Sequence, residues 1–281
     1  MGMRGRRFSQ VDVFTTVAYK GNPVAVVLDG AGLSEAEMQG FAHWTNLSET
    51  TFVLPPTDPA ADYRVRIFTP KAELPFAGHP TLGTAYAVME AGIAAARHGK
   101  LVQECAVGLV ELTTGVDALS FQLPRYAVND APGGAEATAW IGGAALIGAA
   151  KAVDVGPVWL IAELDEIAAL ETLSHDPARL TKYYEQYGLT GATVFACDGD
   201  RVVVRSFAPG DGIPEDPVCG SGNAAVAAYR LVSGQIAAGS HYRASQGRQL
   251  GRDGWIDIRI DGADVHVGGS CVTCVRGEVR L

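Results

Sequence analysis

The sequence predicts an α+β protein made of two related halves, each a set of short strands around one buried central helix. Three observations predict it. First, the segment RIFTPKAELPFAGHPTLGTAYAV, from Arg66 to Val88, recurs in altered form as RSFAPGDGIPEDPVCGSGNAAVAAY, from Arg205 to Tyr229. Each copy runs Arg-x-Phe-x-Pro, then a linker with a second Pro, then a small residue and Gly, then a run of small apolar residues. The two glycines, Gly78 and Gly220, lie half of the 281-residue chain apart, a period too long for a solenoid. Second, each half carries several short β-branched runs closed by Pro, Gly or Asp. Third, the segment after each repeated Gly is small or apolar nearly all round, the mark of a buried helix.

In the first half the strands are SQVDVFTT, PVAVVLDG, TTFVLPP and YRVRIFTP. A helix is expected from Ser34 to about Thr45, because Ser34 with Glu37 three residues on forms a capping box. The central helix follows Gly78, with Pro80 in its first turn and Gly92 near its far end. In the second half PVWLIAEL, ATVFACDG and RVVVRSFAP read as strands. Asp176-Pro177 starts a peripheral helix that runs through Tyr187. The second central helix is GSGNAAVAAYRLV. The boundary is expected around 129–138, giving halves of 1–128, completed by a last strand at about 272–281, and 129–271.

Composition limits the partners. With 22 basic against 31 acidic residues the net charge is −9, which argues against nucleic acid and anionic membranes. No stretch approaches the ~18 apolar residues of a membrane helix. No apolar run follows the basic start, so no signal peptide is expected, and five scattered cysteines suit a reducing cytoplasm. Cys271 and Cys274 form a lone C-x-x-C inside a strand, read as structural thiols rather than a zinc site. No dinucleotide-binding glycine motif, P-loop, H-E-x-x-H or G-x-S-x-G elbow is present.

The candidate site lies at the two helix starts, Ala77-Gly78-His79-Pro80 and Cys219-Gly220-Ser221-Gly222. Free amides at a helix start attract anions, and Gly allows close approach. Two such starts facing each other would hold a carboxylate without Arg or Lys; taken singly, each is equally read as ordinary capping. His79 is either a core histidine or a donor and proton relay. Asp216 caps a turn, orients His79, or bonds a substrate amine or hydroxyl. Glu49, in NLSETTFV, is solvated or, if enclosed with Ser48 and Thr50 holding it, an acid/base. Cys219 is a thiolate favoured by its helix start, or a small buried filler.

Taken together, the segments VDVFTTVAYKGNPVAVV, NLSETTFV, ELPFAGHPTLGTA and EDPVCGSGNAA, with the late Gly268-Gly269, resemble the PhzF family of phenazine-biosynthesis-type isomerases. That family shares the diaminopimelate epimerase fold. The resemblance implies two pseudo-symmetric β-barrel-like domains, each wrapped around a central helix, with a cofactor-free site in the cleft and a homodimeric assembly. It implies that Glu49 is the acid/base and that His79 binds substrate or relays a proton. It assigns Asp216 and Ser221 to substrate binding, with the amides around Gly78, Gly220 and Gly222 holding the carboxylate. One departure stands out: the phenazine-pathway enzymes carry Thr where this chain has Cys219, whereas the epimerases carry a catalytic Cys there. The position of their second Cys is Ala77, which excludes a two-thiol mechanism. The expected function is a cofactor-independent isomerase that moves a proton on a small carboxylate-bearing substrate. The rivals are an epimerase or racemase using Glu49 and Cys219, and a binding protein without turnover.

Overall fold

The computed structural model describes residues 4–116 and 118–281. The chain divides into two compact units. One comprises residues up to Phe121 with Gly268–Leu281, and the other is Gln122–Val267.

The first unit starts with β1 (Gly5–Val13) and β2 (Asn22–Val27), an antiparallel pair. Helix α1 (Glu35–Thr45) then crosses over to β3 (Glu49–Leu54), which lies parallel to β2, as a parallel neighbour requires. The expected capping box starts α1: the Ser34 amide donates to Glu37 Oε2 at 2.7 Å and the Glu37 amide to Ser34 Oγ at 3.3 Å. Asn46 ends the helix with φ 54°, a left-handed stop that Asn tolerates, and turns the chain into β3. Next come β4 (Tyr63–Phe68), antiparallel to β3, and the two-residue β5 (Glu73–Leu74) on its edge. The central helix α2 (Gly78–Glu90) crosses to β6 (Lys100–Cys105), parallel to β4. The meander β7 (Gly108–Thr114) and β8 (Leu119–Gln122) follows.

The second unit repeats this plan. β9 (Ala127–Asp130), β10 (Lys151–Asp154) and β11 (Val158–Glu163) pair antiparallel in turn. Helices α3 (Ile167–Glu171) and α4 (Pro177–Tyr187) then cross to β12 (Gly191–Asp198), parallel to β11. Asp176 caps α4 by accepting from the Arg179 amide at 3.0 Å, with Pro177 in the first turn. β13 (Arg201–Ala208) is antiparallel to β12 and carries the short edge strand β14 (Ile213–Asp216). The central helix α5 (Gly220–Val232) crosses to β15 (His241–Gln246), parallel to β13, and β16 (Gly254–Asp261) and β17 (Asp264–Gly269) follow. Residues 129–138 lie inside this unit, in β9 and a 3₁₀ turn. The last strand, β18 (Cys271–Arg280), returns to the first unit and pairs with β1 from Gly5 to Val13.

Both central helices are buried over most of their length, and their small residues explain how. In α2 a Cβ on Gly83 would fall 2.4 Å from Val24 Cγ1, so Gly lets the helix backbone rest on β2. In α5 a Cβ on Gly222 would fall 2.5 Å from Thr193 Oγ1 and 2.8 Å from Ser206 Oγ. The aromatic core of the first unit gathers Phe41, Phe52 and Phe68, and that of the second gathers Trp140, Tyr184 and Phe207.

The duplication extends to side chains. Arg66 Nε donates to Glu73 Oε1 at 2.7 Å and Nη2 to Oε2 at 2.6 Å. Arg205 grips Glu215 in the same two-pronged way, both bonds at 2.9 Å. Each guanidinium lies 5.1 Å from the ring of the Phe two residues on, Phe68 or Phe207. A glutamine from the strand after each central helix completes the match. Gln103 Nε2 donates to Thr81 Oγ1 at 3.0 Å, and Gln246 Oε1 accepts from Asn223 Nδ2 at 2.8 Å.

Candidate active site

Within the first unit, three element ends converge. β2 starts at Asn22, β3 at Glu49, and the two strands place Val24 opposite Glu49. Helix α2 starts at Gly78, with Ala77 as its cap and no capping hydrogen bond from that residue's side chain. No acidic residue sits in the helix's own first turn.

His79 Nε2 lies 3.3 Å from Glu49 Oε2, and both side chains are largely buried. The sequence left open whether Glu49 is solvated or enclosed; it is enclosed. Thr50, expected to help hold it, instead alternates to the other face of β3, where its hydroxyl lies 2.9 Å from that of Thr45. Burial pushes the His79 imidazole down to about 3, a shift only partly opposed by a hydrogen bond to the backbone of Pro23. The ring is therefore neutral at any ordinary pH. Gly78 packs its α-carbon on Phe121, whose Cζ would lie 3.1 Å from an added Cβ.

In the second unit, Asp216 closes a turn by accepting from the Val218 amide at 2.9 Å. Burial raises its carboxyl to about 6, against the pull of that amide and of the Cys219 thiol. Gln246 Nε2 donates to the Asp216 carbonyl at 2.9 Å, tying this turn to the first turn of α5. Unlike α2, helix α5 is capped by a side chain: Cys219 Sγ accepts from the Gly222 amide at 3.3 Å. Ser221 Oγ accepts from the Trp159 indole at 3.1 Å and lies 3.6 Å from Cys219 Sγ. Burial holds the Cys219 thiol well above its ordinary value, so the thiolate that a helix start would favour does not form. Cys271 is likewise pushed up by burial.

Glu49 with His79, and Asp216 with Cys219 and Ser221, are thus each brought together as local groups. The sequence missed Pro23, Trp159, Gln103 and Gln246. Pro23 acts through its carbonyl, which no residue pattern encodes. The glutamines could have been found by aligning the two repeats beyond the helices, where each sits in the strand that follows. Among the described residues, no three His, Cys, Asp or Glu side chains are grouped so as to hold a metal ion, and no helix is long and apolar enough to cross a membrane.

Comparison with known proteins agrees with this architecture. A family model described as phenazine biosynthesis-like protein, PhzC-PhzF, matches residues 11–277. "Antisense-enhancing sequence 1" of Schizosaccharomyces pombe is 39% identical, over 98% of this chain and 99% of its own. Trans-2,3-dihydro-3-hydroxyanthranilate isomerase of Pseudomonas chlororaphis is 34% identical, over 96% and 98%. The crystal structure of a PhzF-family protein from Bacillus anthracis superposes with a TM-score of 0.87 at 23% identity, over 99% of this chain and 100% of that one. Fold and sequence together place the chain among the isomerases. It belongs to the phenazine biosynthesis-like, or PhzF, family.

Proposed function

We propose that the chain is a cofactor-independent isomerase that moves a proton within a small carboxylate-bearing substrate, with Glu49 as the acid/base. The observation that carries this reading is the Glu49–His79 pair, 3.3 Å apart and enclosed at the uncapped start of α2. An enclosed carboxyl group beside a neutral imidazole can give and take a proton within a turnover and exchange it with water between turnovers. The amides at the start of α2, around Gly78 and His79, are the proposed seat for negative charge on the substrate. Asp216, Ser221 and the backbone at Gly220 and Gly222 are proposed to bind substrate. The finer form of the fold, with each unit's strands closed into a barrel around its helix, belongs to the same reading.

The Pseudomonas relatives are named for a dihydro-hydroxyanthranilate, which bears a carboxylate, and that compound is the first substrate to try. The test is deuterium incorporation from heavy water, followed by NMR, over that compound and a panel of unsaturated carboxylates and amino acids. Label is expected at a new carbon of one compound. Glu49→Gln is expected to fold normally and lose ~10²–10⁴-fold in turnover, the usual worth of one placed acid/base. Retention of most activity by that variant would end the assignment.

A further inference from the structure

The turn that carries Asp216 rests in a seat built by another hairpin of the same unit. β15 ends at Gln246 and β16 begins at Gly254, and these two residues are paired. A Cβ on Gly254 would overlap the Val218 side chain, and one on Gly247, whose φ is 98°, would overlap the Pro217 carbonyl oxygen. Glycine at both positions lets the end of the hairpin close directly on the turn. Two further ties fix the same turn. The Val218 amide donates to Asp216 Oδ1 at 2.9 Å, and Glu215, one residue earlier, is gripped by Arg205.

Gln246, 2% exposed, joins this turn to helix α5. Asn223 Nδ2, in the first turn of α5, donates to the Cys219 carbonyl at 2.9 Å and to Gln246 Oε1 at 2.8 Å. That bond occupies the oxygen end of the Gln246 amide and leaves its nitrogen to face the Asp216 carbonyl, 2.9 Å away. The matching glutamine of the first unit is used otherwise. Gln103 Oε1 accepts from the Tyr63 hydroxyl and Nε2 donates to Thr81 Oγ1, both at 3.0 Å. Tyr63 lies on β4 and Thr81 within α2, so Gln103 ties sheet to helix rather than to the segment that leads into the helix. The shared plan of the two units therefore forms without a bond to that segment, and the Gln246–Asp216 bond is an addition peculiar to the second unit.

We propose that Gln246, backed by Gly247 and Gly254, is a positioning residue for Asp216: it locks the turn to the start of α5, so that the carboxyl and the helix amides meet a ligand as one fixed arrangement. Gln246 acts through the backbone of Asp216 and needs no contact with substrate. The inference rests, for its catalytic meaning, on the reading of Asp216 as a substrate-binding residue.

The first part of the test needs no substrate. In protein labelled with ¹³C at the aspartate carboxyls, the Asp216 signal is assigned by its loss in Asp216→Asn and followed against pH. Burial is the larger influence on this carboxyl, so a loosened, wetter turn should let its midpoint fall from about 6 toward 3.8 in Gln246→Met. If that variant does not fold, Gln246→Asn, one methylene too short to reach the Asp216 carbonyl, takes its place. Gln103→Met loses matching buried hydrogen bonds and should lower the melting temperature comparably, yet leave the Asp216 midpoint where it is in wild type. An unmoved midpoint in the Gln246 variant, or an equal shift in Gln103→Met, would overturn the proposal. The second part uses trans-2,3-dihydro-3-hydroxyanthranilate: KM of Gln246→Met is expected to rise ~3–10-fold at little cost in kcat. A shifted midpoint with unchanged KM supports the seat and removes Asp216 from substrate binding. A shifted midpoint in a protein that does not turn this compound over supports the seat and ends only the choice of substrate.

Discussion

At Cys219 two influences oppose each other. A helix start favours the thiolate, and burial favours the thiol. The residue is 4% exposed, and its sulfur already serves as acceptor for the Gly222 amide. Burial wins, and the thiol stays protonated near neutrality. Inversion at a carbon centre needs a base on each face, whereas return of a proton to the same face needs only Glu49. Cys219→Ala is therefore expected to keep turnover within a few-fold, the loss reflecting only a small cavity and a lost cap. Steady-state kinetics checks it; abolished turnover would restore the two-base epimerase as the better reading. What the sequence could not weigh at this residue was burial, because a Cys before Gly-Ser-Gly looks the same whether exposed or enclosed. Glu49 and His79 were legible as candidates from their segments, but their 3.3 Å approach depends on where β3 and α2 begin, which is a tertiary fact.

The elements show how far a repeat can be read from sequence. Ser34, Glu37, Asp176, Pro177 and the two small-residue helices announced their roles, because caps and periodicity are local. The repeat also announced Arg66 and Arg205, but not that each grips a glutamate in the edge strand that leads to a central helix. The two grips differ in depth. Arg205 and Glu215 are 7% and 10% exposed, and Arg205 Nη1 further donates to the carbonyls of Leu170 and Leu173 at 3.1 and 2.9 Å. Arg66 and Glu73 are 21% and 32% exposed, with Glu35 as a further partner. Removing one member of a buried pair leaves an uncompensated charge and costs ~3–5 kcal/mol, while an exposed pair contributes ~0–1 kcal/mol. Arg205→Met is thus expected to destabilise clearly more than Arg66→Met. Urea unfolding of both variants measures the difference, and equal losses would refute the ranking.

At the scale of the whole molecule, His79 and Asp216 tilt stability against pH in opposite senses. His79 falls to about 3 from an ordinary 6.5, so between these values the unfolded chain binds more protons and stability rises with pH. Asp216 rises to about 6 from 3.8, so between these values the folded chain binds more protons and stability falls as pH rises. Over pH 4 to 6 both act. His79→Gln should make the slope of melting temperature against pH less positive, and Asp216→Asn should make it more positive. Calorimetry of both variants against wild type checks the signs, and slopes shifted in the same sense would contradict them. The halved organisation itself was legible from one repeated segment. The matched order of pairings, antiparallel and then parallel across each helix, was not, since strand partners lie far apart in sequence.

The pairing of β18 with β1 has a consequence for how the chain comes off the ribosome. β1 has β2 on one side, but its other edge is filled only by residues 271–280. These emerge after the entire second unit, Gln122–Val267, has been made. The continuous unit can therefore mature while the earlier one waits with an open strand edge, the kind of surface that recruits stray strands. The sheet begun by the first residues made is thus completed by the last, and the loop around Phe14, whose backbone bonds Cys271 of that late strand, gains this contact only once β18 has been made.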